Sequence, residues 1–145
     1  MAATQATKRY SWVANLQGRY KIRPASGGRV HVAPGGYHLL LEQDRHFALS
    51  VDEPECFPRP SIDVLFASAA DVYRAALIGV VLTGASRDGA AGLARIRAQG
   101  GIAVIHTPAS AEAAAMPQAA LDIAGTDYGV PLEQIAPLLN RLCRL

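Results

Sequence analysis

Asp88 stands among small residues in the segment Leu82-Thr83-Gly84-Ala85-Ser86-Arg87-Asp88-Gly89-Ala90-Ala91-Gly92. The apolar run Ile78-Gly79-Val80-Val81-Leu82 reads as a buried parallel strand, and a helix pattern begins just after Asp88. In open α/β sheets, ligands and catalytic groups collect at the carboxyl ends of strands. A carboxylate placed there has two chemical uses. It can hold an imidazole in one tautomer and stabilise its charged form, as in hydrolytic triads. It can also satisfy free backbone N–H groups at a helix start. Residue types alone leave both open.

The groups available to join Asp88 in catalysis are few. His106 follows the apolar run Ile102-Ala103-Val104-Ile105, so its loop shares a sheet edge with Asp88 if the two strands are neighbours. Ser86 and Ser110 lie in those same loops, which permits a diverged hydrolase built on either serine with His106. Nothing in the sequence aims a hydroxyl at His106, however, and a polar histidine at a strand end is the simpler account of it. His38, after Pro34-Gly35-Gly36-Tyr37, opens a strand, while His31 and His46 occupy alternating strand positions. Arg59 and Asp63 flank a helix start and are expected to stabilise it. Four scattered histidines and no paired cysteines argue against a metal site. Gly84, Gly89 and Gly92 permit a tight strand-to-helix turn. No Gly-Lys phosphate loop follows them, and no cofactor is expected.

The elements that must position these groups are readable from periodicity. Residues 1–8 are expected to be frayed, and 9–145 to form one domain. Ser11–Ala14 and Arg19–Ile22 are weak strand candidates around Asn15-Leu16-Gln17-Gly18. Arg29-Val30-His31-Val32-Ala33 alternates as a strand does, and His38–Glu42 with His46–Val51 reads as a hairpin. Ser61 is the expected N-cap of a helix whose apolar positions are Ile62, Leu65, Phe66, Ala69, Val72, Tyr73 and Ala76. Then come a helix over 89–99 ended by Gly100-Gly101 and the strand 102–105. A helix over 117–123 with Pro117 at its first position follows, then a short strand near 128–130. The last helix opens at Pro131 and is expected to bury Leu132, Ile135, Leu139 and Leu142. Alternation of strand and helix over 78–145 predicts parallel right-handed crossovers. The fold class is α/β, doubly wound and mostly parallel, with an antiparallel hairpin inserted.

At 145 residues, half of them hydrophobic and 18 % charged, the chain has the makings of a real core. A net charge of +2 with scattered Lys and Arg does not indicate nucleic-acid binding. Cys56 and Cys143 are far apart and read as free thiols of a reducing compartment. No stretch is long enough to insert in a membrane and no signal peptide is evident, so a cytoplasmic location is expected.

Four segments together resemble the catalytic domain of CheB-type chemotaxis methylesterases. They are Val32-Ala33-Pro34-Gly35-Gly36-Tyr37-His38-Leu39; Arg59-Pro60-Ser61-Ile62-Asp63-Val64-Leu65-Phe66; the strand-loop-helix from Val80 to Gly92; and Pro108-Ala109-Ser110 with Met116-Pro117. They occur in family order and spacing, over about residues 19–145. The resemblance implies hydrolysis of methyl esters on glutamate side chains of chemoreceptors by a serine, a histidine and an aspartate. Asp88 matches the family aspartate, and His38, Ala85, Ser86, His106 and Met116 fall at the expected active-site edge. The family serine and histidine precede the matched region and have no counterpart here. The chain thus looks like the C-terminal two-thirds of the domain without its N-terminal βα units, inactive alone. A non-catalytic binding or regulatory domain descended from the esterase is the alternative. Expected partners are the methylated cytoplasmic domain of a chemoreceptor and a receiver domain acting in trans. Missing central strands would leave a sheet edge open to self-association. Ala85-Ser86 replaces a common Met-Gly of the family, and Thr107-Pro108 a common Asn-Glu.

Overall fold

The computed structural model describes residues 13–14, 19–52 and 59–143. Two sheets form, and one helix joins them. The first is antiparallel, in the order β1-β2-β4-β3: β1 (Val13–Ala14), β2 (Arg19–Pro24), β3 (His38–Leu41) and β4 (His46–Ser50). The second is parallel and follows chain order: β5 (Ile78–Val81), β6 (Ile102–His106) and β7 (Tyr128–Val130). Helices α1 (Ile62–Tyr73), α2 (Ala90–Ala98), α3 (Ala115–Ala124) and α4 (Leu132–Leu142) complete the fold. The α/β class and its parallel strand-helix alternation are as the periodicity predicts. The hairpin β3–β4, however, belongs to its own sheet, paired to β2, and is not inserted in the parallel one.

Helix α1 lies between two cores, which explains why so many of its positions are apolar. Phe66 and Ala70 enter a core with Val81, Leu93, Ile96, Ala103, Ile105 and Ala120. Leu65, on another side of the same helix, packs on Leu39, Phe47 and Leu49 of the antiparallel sheet. A hydrogen bond from the Leu41 amide to Ser68 Oγ, 3.0 Å, ties β3 to α1. The first turn of α1 is thereby held at the seam between the sheets.

Three expectations are corrected. Arg29–Ala33 forms no strand: it alternates, but among the described residues no backbone pairs with it, and Val30 is 59 % exposed. Helix α3 starts at Ala115, so Pro117 sits inside its first turn, where a missing N–H costs no intrahelical bond. In α4, Pro131 is the N-cap, Ile135 and Leu138 are buried, and Leu132 is 57 % exposed. Of the expected positions Ile135 is buried and Leu139 and Leu142 are half-buried, so Leu132 alone departs, and Leu138 joins the buried face. Residues 1–8, the turn at 15–18 and Cys56 lie outside the described residues. Cys143 is a free, exposed thiol. Among the described residues no helix is long and apolar enough to cross a membrane.

Candidate active site

The loop between β5 and α2 carries Asp88 to the carboxyl edge of the parallel sheet, as expected. There Asp88 is buried, only 6 % exposed. Oδ1 accepts from Ser61 Oγ at 3.0 Å and from the Asp63 amide at 2.9 Å, and Oδ2 accepts from the Ile62 amide at 2.7 Å. All three donors come from the first turn of α1. Asp88 thus caps a helix, but not the one it precedes. The N-cap of α2 is Gly89 at φ +97°, a left-handed conformation that favours glycine.

The service is returned by Asp63. Its Oδ1 accepts the Gly92 amide of α2 at 2.7 Å, so each aspartate caps the other's helix. Gly92 makes this approach feasible: a Cβ there would lie 2.6 Å from Phe66 Cβ and 3.1 Å from the Asp63 backbone. Burial raises the Asp63 pKa above its ordinary value, the Gly92 amide opposes this, and the Asp88 charge adds to the rise. Asp63 was expected to serve its own helix start; the structure gives it to the neighbouring one. Arg59 donates to the Val51 carbonyl at 2.6 Å.

His38 is buried, 3 % exposed, at the start of β3. Its Nδ1 accepts the Ser61 amide at 3.2 Å, which places it one residue from the Asp88 cap. Burial first, and then the Arg59 charge, lower the His38 pKa; the charges of Asp52 and Asp88 oppose them. A neutral ring with the proton on Nε2 fits this bond, because Nδ1 must be the acceptor.

His106 and Ser110 do meet, at 3.2 Å between Nε2 and Oγ, but among the described residues neither hydrogen-bonds the Asp88 carboxylate. Ser110 Oγ also lies 3.1 Å from the Thr107 carbonyl, and His106 Nδ1 is buried with no partner. The consistent arrangement has Nε2–H donating to Ser110, whose hydroxyl donates on to Thr107. That leaves an unpaired acceptor at Nδ1 in place of an unpaired N–H, and it does not activate the serine. Ser86 is exposed and its Oγ accepts the Asp88 amide at 3.3 Å. Ala85 is exposed, and Met116 Sδ and Cε lie against Gly84 beside it. Paired backbone bonds between Gly84 and the 113–116 segment hold this contact: Gly84 N to Ala113 O at 3.0 Å and Met116 N to Gly84 O at 2.9 Å. The described residues contain no hydrogen bond between Asp88 and an imidazole, and no group of three or more metal-ligating side chains.

Helix-start chemistry accounts for Ser61 and Asp63 in the sequence, but their convergence with Asp88 is visible only in the fold. The signal was present in the Ser-x-Asp spacing of Ser61-Ile62-Asp63. Nothing local says that its partner lies 25 to 27 residues away.

Comparison with known proteins bears on this arrangement. Residues 13–139 match the family model described as CheB methylesterase. A Leptospira interrogans protein provisionally named protein-glutamate methylesterase/protein-glutamine glutaminase is 52 % identical over 115 residues, covering 79 % of this chain and 60 % of the relative. The Symbiobacterium thermophilum protein-glutamate methylesterase/protein-glutamine glutaminase is 35 % identical over 118 residues, 81 % of this chain and 33 % of the relative. The crystal structure of the Thermotoga maritima CheB methylesterase catalytic domain superposes with a TM-score of 0.73 at 27 % identity, covering 83 % of this chain and 68 % of that one. This chain therefore spans about 60 % of the Leptospira relative and about a third of the Symbiobacterium one. With the same α/β architecture and a family match across most of its length, the chain belongs to the CheB methylesterase family.

Proposed function

We propose that this chain contributes the orienting acid of a protein-glutamate methylesterase whose nucleophile and base lie outside it. The observation that carries this reading is the buried Asp88 carboxylate, pinned by three donors at the carboxyl edge of the parallel sheet. Oδ1 takes two of these donors and Oδ2 only one, so Oδ2 keeps a lone pair for an imidazole N–H. In the proposed reaction a serine attacks the methyl ester of a glutamate side chain and its proton passes to a histidine. That histidine then protonates the departing methanol, and water releases the glutamate carboxylate. Asp88 keeps the imidazole in the right tautomer and stabilises its cation. The substrate is the methylated cytoplasmic domain of a chemoreceptor, the setting is the cytoplasm, and a receiver domain acts in trans.

Purified 1–145 chain is then expected to release no methanol from a methylated receptor. Adding the part of the Leptospira relative that this chain does not span should restore release. In that assembly Asp88→Asn should lower kcat by about 10⁴, the loss seen when a triad acid is neutralised. Hydrolysis by the isolated chain that depends on Asp88 would overturn the proposal.

A second reading has its own observation. The Asp88 donors all come from the first turn of α1, which a purely structural cap would also require. A non-catalytic receptor-binding or regulatory domain descended from the esterase fits this. Receptor binding by the chain without methanol release in any assembly would favour it. The parallel sheet also bears on assembly, because β5 pairs only with β6 among the described residues. Self-association through that edge is expected, and a monomer by light scattering would count against it.

A further inference from the structure

We propose that neutral His38 is a positioning residue: by accepting the Ser61 amide it sets the turn from which α1 holds Asp88, and protonation of its ring releases that hold. The inference rests on Asp88 being the orienting acid, but its geometry stands alone. Among the described residues, four of the five buried polar or charged groups, His38, Ser50, Ser61 and Asp88 out of a set completed by His106, belong to the seam between the two sheets. His38 Nδ1 and Asp88 Oδ1 bind the same residue from opposite sides, the one through the Ser61 amide at 3.2 Å and the other through its hydroxyl at 3.0 Å. Ser61 Oγ in turn accepts the Val64 amide at 3.4 Å. The Ser61 backbone begins the helix and its side chain ends at Asp88, so a shift of that backbone moves all three contacts together.

Protonation changes one atom. Nδ1 then carries a hydrogen and faces the Ser61 N–H, so two donors oppose each other between two buried residues. The ring or the Ser61 backbone must move, and Ser61 Oγ, Ile62 N and Asp63 N move with it. Among the described residues, the charged groups that act on the ring come from three segments. Asp52 lies just beyond β4, Arg59 precedes α1, and Asp88 lies between β5 and α2. Arg59 and burial resist the proton, while Asp52 and Asp88 invite it. Asp88 thus helps to charge the residue whose neutrality keeps it in place.

The test uses the 1–145 chain, labelled with ¹³C and ¹⁵N, in a pH titration by NMR. At neutral pH the imidazole nitrogen shifts should place the proton on Nε2. As the His38 ring titrates, the amides of Ser61, Ile62 and Asp63 and the Asp88 carboxyl carbon should move with the same midpoint. His38→Asn puts a neutral acceptor oxygen close to the Nδ1 position. It should keep the four signals near their wild-type places and abolish that shared step. His38→Phe removes the acceptor and should displace them at every pH. If this variant does not fold, the wild-type titration and the Asn variant still decide. A proton on Nδ1 at neutral pH overturns the proposal, as does a ring titration that leaves the Asp88 and α1 signals unmoved, or a shared step that survives in His38→Asn. None of these signals requires hydrolysis. Failure of the assembled esterase would sink the methylesterase reading and leave this result standing.

Discussion

Replacing Asp88 by Asn keeps the size and shape of the side chain and removes its charge, which isolates what the carboxylate does for the fold. The carboxylate accepts three hydrogen bonds, two at Oδ1 and one at Oδ2. An Asn has one acceptor oxygen. Set toward Ser61 Oγ and Asp63 N, it leaves its NH₂ facing the Ile62 amide, two donors in opposition. Set the other way, it opposes the Asp63 amide. At least one charge-assisted bond is lost, about 1.5–3 kcal/mol. The remaining two bonds weaken to neutral strength. The favourable charge at the N-terminus of α1, about 0.3–1 kcal/mol, also goes. A net loss of about 3 kcal/mol follows, or about 6–12 °C in Tm for a domain of this size. Urea unfolding followed by far-UV circular dichroism measures it, with an unchanged m-value as the control. A cycle with Ser61→Ala should show coupling of about 1–2 kcal/mol, because the two side chains share a bond. A catalytic carboxylate with no structural task is commonly neutral or destabilising to the fold, so its removal would leave Tm unchanged or raised. A loss under about 1 kcal/mol would refute the claim that Asp88 anchors α1.

Further outcomes follow from the same contacts. Gly92→Ala should destabilise by about 1–3 kcal/mol although alanine favours helix, because the added Cβ meets the Phe66 Cβ and the Asp63 backbone; urea unfolding reads it. Arg95→Ala breaks the bidentate Asp71 pair across α1 and α2, but both side chains are exposed, so the cost should stay under about 1 kcal/mol and shrink with salt. Stability should depend on pH with two opposite signs. The lowered His38 and His31 pKa values mean that the unfolded chain takes up protons first, so stability falls as pH drops below their ordinary value near 6.5. The raised Asp63 pKa means that the folded chain holds its proton longer, so that group's contribution declines as pH rises above about 3.8. Thermal melts across this range check both. A fluorophosphonate probe should leave Ser110 unlabelled, since the hydroxyl donates to Thr107; an adduct identified by mass spectrometry would overturn the tautomer assigned to His106.

Much of the architecture follows from local pattern. The apolar run 78–82, the helix after Asp88, the Gly100-Gly101 stop and the Ser61 cap are each set by a few neighbouring residues, and each appears where that pattern puts it. The acidic residue at the sheet edge is legible for the same reason, because strand end and helix start are both written beside it. Arg29–Ala33 shows the limit: alternation says which side of a strand is apolar, but pairing needs a second backbone, and the described residues bring none. The exchange of caps between Asp63 and Asp88, the His38 bond to Ser61 and the pairing of His106 with Ser110 were decided in three dimensions. The reason is that a carboxylate's preference for free amides is the same for every helix start. Which start lies within reach depends on how α1 settles between two cores, and that is a property of packing over the whole chain.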